Sequence, residues 1–139
     1  MSDIKADVGV IGMAVMGKNL ALNIEHHGYT VGVWNRTGSK TKSFVKNHAD
    51  KNLVPSYDLR NFINSLKKPR RIIMMIKSGR PIDNVINQLT PMLDRGDVLI
   101  DGGNTNFHAT MRRNAKLAQS GINFIGMGVS GGELGALHG

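Results

Sequence analysis

The chain contains no cysteine, which excludes disulfide cross-links and thiolate metal sites. Aromatic residues are sparse, with one Trp, two Tyr and four Phe, so stacking platforms for single-stranded nucleic acid are poorly supplied. No apolar run approaches the roughly 20 residues that a membrane span requires. The opening Met1-Ser2-Asp3-Ile4-Lys5 lacks the apolar core of a secretory signal, so a cytoplasmic address is expected. Acidic residues are outnumbered, 10 against 18 basic ones, for a formal charge of +8. Such a balance suits nucleic acid or a small polyanionic ligand. The basic residues gather at Lys40, Lys42 and Lys46, at Lys67, Lys68, Arg70 and Arg71, and at Arg112, Arg113 and Lys116. Apart from Phe44, no aromatics interleave them. That pattern argues against nucleic acid and membrane partners, and for a solvated surface that steers a phosphorylated ligand.

With 139 residues, 40% hydrophobic and 20% charged, the chain is expected to form one globular domain with a proper core. Short apolar runs alternate with helical spacing, which predicts an α/β fold. The expected architecture is a doubly wound, mostly parallel sheet of about six strands with helices on both faces. Strands are predicted near residues 7–11, 30–34, 53–54, 72–76, 98–101 and 122–125. Between them Gly17, Leu20, Ala21 and Ile24 repeat at the spacing of one buried helix face, as do Leu59, Phe62, Ile63 and Leu66. Asp58 is placed to cap the latter helix, and Pro69 to stop it. Further helices are expected over 39–48, from Ile82 to Leu93, and over 107–119.

The most informative stretch joins the first strand to the first helix. Gly12, Ala14 and Gly17 occupy the positions of a G-x-G-x-x-G turn, with alanine in the middle. Gly12 permits the sharp turn, a small residue at 14 lets a pyrophosphate approach the backbone, and Gly17 lets helix pack on strand. The first-turn N–H groups and the helix dipole then favour phosphate. An ordinary strand–turn–helix can also carry small residues. The placement after a strand and before a helix favours the dinucleotide reading.

A carboxylate is missing where an NAD-preferring site usually shows one, roughly 20 residues beyond the first glycine. Asn35, Arg36 and Thr37 stand there, with Lys40 close behind. A guanidinium can stack on adenine and grip a 2′-phosphate that a carboxylate would repel, so NADP is the expected cofactor. Asn104, on the Asp101-Gly102-Gly103-Asn104 turn, admits two readings. Its carboxamide can bond a nicotinamide amide and a substrate hydroxyl, or it can serve a structural Asx turn. Val129-Ser130-Gly131-Gly132-Glu133 offers a hydroxyl and free N–H groups suited to an anion.

The run from Gly12 to Asn23 resembles the opening of the 6-phosphogluconate dehydrogenase family, the middle alanine included. Asn35-Arg36-Thr37, Ile76-Lys77-Ser78-Gly79, Asp101-Gly102-Gly103-Asn104 and Gly128-Val129-Ser130-Gly131-Gly132-Glu133 match in order and spacing. The sister β-hydroxyacid dehydrogenases share the glycine opening and the Asn-Arg pair. They typically carry D-x-S-T at the third of these turns and are the alternative, alongside a non-catalytic NADP-sensing module.

The resemblance implies oxidative decarboxylation of 6-phosphogluconate to ribulose 5-phosphate and CO2 with NADPH formation, a pentose phosphate reaction of gluconate utilization. It implies that Gly12, Met13, Ala14, Val15, Met16 and Gly17 hold the pyrophosphate and that Asn35, Arg36 and Thr37 hold the 2′-phosphate end. Ile76, Lys77 and Ser78 would line the cofactor ribose, Asn104 would touch cofactor and substrate, and Ser130, Gly131 and Gly132 would bind substrate. Ser78 stands where the family usually has alanine, and Leu134 and Leu137 where it usually has Glu and Arg. The family's general-base lysine and general-acid glutamate, and its helical dimerisation domain, fall beyond Gly139. The expectation is therefore an NADP-binding domain of a homodimeric family that binds cofactor but, as these 139 residues alone, does not turn over.

Overall fold

Parallel strands buried on both faces need apolar side chains on both sides, and the apolar runs here meet that requirement. The structure, a computed structural model, describes residues 5–76, 80–103 and 107–126. Its elements in chain order are β1 (Val8–Ile11), α1 (Val15–His26), β2 (Val31–Trp34), α2 (Gly38–Asn47), β3 (Leu53–Pro55) and α3 (Leu59–Asn64). There follow β4 (Arg71–Met74), α4 (Arg80–Leu89), a 3₁₀ turn (Thr90–Met92), β5 (Val98–Asp101), α5 (Phe107–Ala118) and β6 (Asn123–Gly126).

The strands form one six-stranded sheet in the order β3-β2-β1-β4-β5-β6. Every neighbouring pair is parallel. This is the doubly wound arrangement expected from the sequence. The order reverses between β1 and β4, where Val10 lies beside Ile73. The crossovers leave β1 and β4 toward opposite edges, so a crevice opens beyond their carboxyl ends.

Alternation along the strands sorts the core into two layers. Val10, Val31 and Val33 pack with Ala21 of α1 and Phe44 of α2 on one face. Ile11, Ile72, Met74 and Leu99 pack with Phe62 of α3, Ile82 and Ile86 of α4, and Leu117 of α5 on the other. Phe62 is wholly buried, a transfer from water worth about 1.5–3 kcal/mol. It lies against Gly9, where an added Cβ would fall 2.5 Å from its Cζ. The missing side chain on β1 is what brings α3 so close to the sheet.

Local signals explain most boundaries. The Asp58 carboxylate accepts the Asn61 N–H at 2.7 Å and starts α3 as expected. Pro91 has no N–H for a helical ladder, and the predicted Ile82–Leu93 helix gives way at Thr90 to the 3₁₀ turn. β4 ends at Met74 rather than Ile76. Met75 still donates its N–H to the Ile11 carbonyl at 2.8 Å, and from there the chain leaves the sheet. β6 runs one residue later than predicted, because Asn123 pairs with Val98.

Candidate functional site

The crevice is built on the turn after β1. Gly12 has φ +103°, a conformation that L side chains rarely adopt. A Cβ there would lie 2.3 Å from the Met75 carbonyl oxygen. Its N–H donates to the Trp34 carbonyl at 2.9 Å, so the turn is bound to β2 and tight against the chain leaving β4. At Gly17 a Cβ would fall 1.8 Å from the Gly12 carbonyl oxygen. Helix and turn touch backbone to backbone, the closeness the glycine spacing predicts.

Ala14 is the N-cap of α1, extended and exposed, and it offers no side chain to cap the helix. The first intrahelical bond runs from Lys18 N–H to the Ala14 carbonyl at 2.9 Å. The N–H groups of Val15, Met16 and Gly17 thus face out of the helix end, with no acidic residue in that first turn to compete for them. Such an end suits an anion.

Asn35 holds this arrangement together. Its Oδ1 accepts the Met13 N–H at 2.8 Å and its Nδ2 donates to the Thr37 carbonyl at 3.0 Å. Each end of the carboxamide is thus engaged within the protein, and the exposed Arg36 and Thr37 are left to reach outward. The Met13 side chain is wholly buried in the α1–α2 layer and shapes the turn from within.

Two clefts flank the turn. One, of about 500 Å³, is lined by Ala14, Val15, Met16 and Gly17 of the helix end, facing Met75, Ile76, Gly102 and Gly103. The other, of about 590 Å³, lies between Trp34, Asn35 and Arg36 on one side and Asn84, Val85 and Gln88 of α4 on the other. Ile76 is a wall of both, so the clefts adjoin across the glycine turn. An elongated ligand with an anionic centre fits that plan. Lys77, Ser78, Asn104, Ser130, Gly131 and Gly132, together with Leu134 and Leu137, lie outside the described residues.

The loop after β5 is held by Asp101, which is buried and whose Oδ1 accepts the Gly103 N–H at 3.0 Å. Asp101 thus makes an Asx turn of its own, accepting from the residue two positions on. Sequence reasoning passed over this carboxylate, although an acid followed by two glycines at a strand end is the signal for it. It also passed over Met75 and the polar face of α4; Asn84 and Gln88 recur at helical spacing and could have been read that way.

Two carboxylates held below their ordinary range sit at the amino ends of the strands, away from the crevice. The Lys67 ammonium, bonded to Asp7 at 2.8 Å, holds that carboxyl down, and Lys68 does the same for Asp94. Among the described residues no group of three metal-ligating side chains occurs. No described helix is long and apolar enough to cross a membrane.

Fold and crevice together define a dinucleotide-binding domain of the doubly wound type. Residues 7–139 match the family model described as the NAD binding domain of 6-phosphogluconate dehydrogenase, and the chain belongs to that family. It is 63% identical over 135 residues to the decarboxylating 6-phosphogluconate dehydrogenase of Lactococcus lactis subsp. lactis (strain IL1403), covering 97% of this chain and 29% of that protein. Against the enzyme of the same name from Staphylococcus aureus (strain Mu50 / ATCC 700699) it is 61% identical over 132 residues, covering 95% and 28%. The chain therefore spans under a third of the length of these relatives.

The solved Plasmodium falciparum 6-phosphogluconate dehydrogenase, described with its cofactor NADP+ and its substrate 6-phosphogluconate, superposes with a TM-score of 0.87. The two are 40% identical over 94% of this chain and 28% of that one. An imine reductase from Bacillus cereus BAG3X2, at 21% identity and TM-score 0.78 over 92% of this chain and 42% of its own, shares the fold. With the family established, the sister hydroxyacid dehydrogenases no longer compete.

Proposed function

We propose that this chain is the coenzyme domain of an NADP-dependent, decarboxylating 6-phosphogluconate dehydrogenase. The observation that carries the cofactor choice is Arg36, exposed at the end of β2 beside the cleft, where an NAD site would present a carboxylate. The uncapped first turn of α1 takes the pyrophosphate, with Ala14 leaving room for it. Arg36 and Thr37 take the 2′-phosphate, and Asn35 holds the turn that aligns them. The adenosine half lies against α4, and the nicotinamide half faces Met75 and Gly102.

In the whole protein, NADP accepts a hydride from 6-phosphogluconate, which loses CO2 to give ribulose 5-phosphate. Asn104 is proposed to orient both partners, and Ser130, Gly131 and Gly132 to bind substrate, while Lys77 and Ser78 border the cofactor ribose. None of these is suited to carry a proton through the full reaction. Catalysis thus draws on the family's lysine and glutamate and on its homodimeric helical domain. A cytoplasmic address accords with a metabolic enzyme of this kind.

Calorimetric titration with NADP and NAD in parallel tests the reading. NADP should bind the more tightly. Equal affinities would remove the role assigned to Arg36.

A further inference from the structure

Helix α4 has two working faces. Asn84, Val85 and Gln88 wall the larger cleft, while Ile82, Ile86 and Leu89 bury it against the sheet. Apolar burial is non-directional; it resists separation but sets no register. The directional contacts lie on the flank toward α5. Arg113 Nε donates to Asp83 Oδ1 at 2.7 Å and Nη2 to Oδ2 at 3.1 Å, a two-pronged pair. Lys116 Nζ reaches Asn87 Oδ1 at 3.4 Å. Among the described residues, these are the side-chain bonds that join α4 to another helix or strand.

Arg113 is an unusual partner for a surface carboxylate. Its side chain is only 9% exposed, whereas that of Asp83 is 51% exposed. An ordinary surface pair leaves both heads in water and contributes little. Here the guanidinium is desolvated, and its Nη1 is buried without a partner among the described residues. Burying that charge is costly unless geometry compensates, which makes placement a more reasonable return than stability. The Asp83 bond keeps the guanidinium firmly charged. Arg113 itself lines neither cleft.

We propose that Arg113 is a positioning residue for the cofactor crevice, fixing α4, a wall of the larger cleft, against α5 so that the cleft keeps the width a dinucleotide requires. The inference rests on reading the crevice as the NADP site. It concerns residues that the ligand does not touch.

The test is NADP affinity in the 139-residue chain, measured by titration well below each variant's melting temperature. Circular dichroism establishes folding, and Trp34, the one tryptophan and a lining residue, reports binding by its emission. Arg113→Met keeps much of the stem's packing and should weaken NADP about tenfold, and Arg113→Lys should recover part of the loss. Asp83→Asn alters an exposed carboxylate and should weaken NADP about three- to fivefold, with little added in the double variant. A folded Arg113→Met chain that binds within twofold of the parent overturns the proposal, leaving the pair a structural brace. Should Arg113→Met fail to fold, unchanged affinity in Asp83→Asn overturns it equally. If the parent chain binds no NADP, the functional reading fails first, and the role of Arg113 goes with it.

Discussion

The Oδ1 of Asn35 accepts the backbone N–H of Met13 at 2.8 Å, joining the end of β2 to the glycine turn. Because Nδ2 of the same side chain donates to Thr37, one carboxamide sets the spacing between the pyrophosphate cradle and the 2′-phosphate end. Removing it should therefore affect binding as well as stability. Asn35→Ala is expected to lose about 1–3 kcal/mol of stability through the unpaired Met13 N–H. NADP should weaken along with it, and thermal melts beside titrations would separate the two losses. Asn35→Asp keeps an acceptor for Met13 but sets a negative charge beside the phosphate, and should shift preference toward NAD.

Arg36 is exposed and bounds the larger cleft. Arg36→Ala should leave the melting temperature nearly unchanged and reduce NADP affinity by about 1.5–3 kcal/mol, roughly tenfold to a hundredfold. NAD affinity should move far less. Parallel calorimetric titrations decide the matter, and a uniform loss for both cofactors would assign Arg36 to adenine stacking alone.

The turn itself separates fold from ligand. Gly12→Ala combines positive φ with an approach of 2.3 Å to the Met75 carbonyl. It should cost about 2 kcal/mol or more in denaturant melts. Gly17→Ala, at 1.8 Å from backbone, should do at least as much damage. Ala14→Leu differs because Ala14 is exposed. That variant should fold normally and lose NADP binding. Normal binding by a folded Ala14→Leu chain would move the pyrophosphate elsewhere.

Stability should depend on acid pH in a definite sense. Hydrogen bonds from Lys67 and Arg113 hold the Asp7 and Asp83 carboxyls below the ordinary aspartate range in the folded state. A depressed carboxylate contributes stability that is present above its unfolded value and lost as pH falls through the folded one. Melting temperature should hold level near neutrality and decline below about pH 4. The side chains are partly exposed, so each contributes about 1 kcal/mol or less. Asp83→Asn should flatten its share of that decline, and an unchanged profile would show that the pair does not couple to folding.

The 139 residues by themselves should show no 6-phosphogluconate-dependent reduction of NADP. Loss of an acid or base typically costs about 10²–10⁴ in rate, and the residues proposed at the substrate supply neither. Following absorbance of the reduced nicotinamide, with contaminating host enzyme removed, is the measurement. Turnover at an ordinary dehydrogenase rate would mean that groups within this chain carry the protons.

The sheet and its connections were legible because β-branched runs, helical spacing and glycine punctuation agree with one another at each element. Gly12, Ala14 and Gly17 announced the turn for the same reason, since each position has its own steric demand. What the sequence concealed depends on partners far along the chain. Nothing local says that Asn35 engages Met13, that Met13 turns inward, or that Arg113 pairs with Asp83 across two helices. Charge clusters looked alike in the sequence, yet Arg113 and Arg70 are buried while Arg112 and Arg71 are exposed. Burial of a charge is decided by tertiary packing, which composition does not encode.

The reversal of strand order at β1 has a kinetic side. Gly9 pairs with Ile72, so the central strand waits for a segment from the far half of the chain before its ladder is complete. Contacts so distant in sequence form late, after the loop between them has been closed at an entropic cost. The walls of the crevice belong to both sides of that seam. A ligand bound there reports that the halves have joined, and by favouring the joined state it should slow their parting, so cofactor would act as a latch against unfolding and proteolysis.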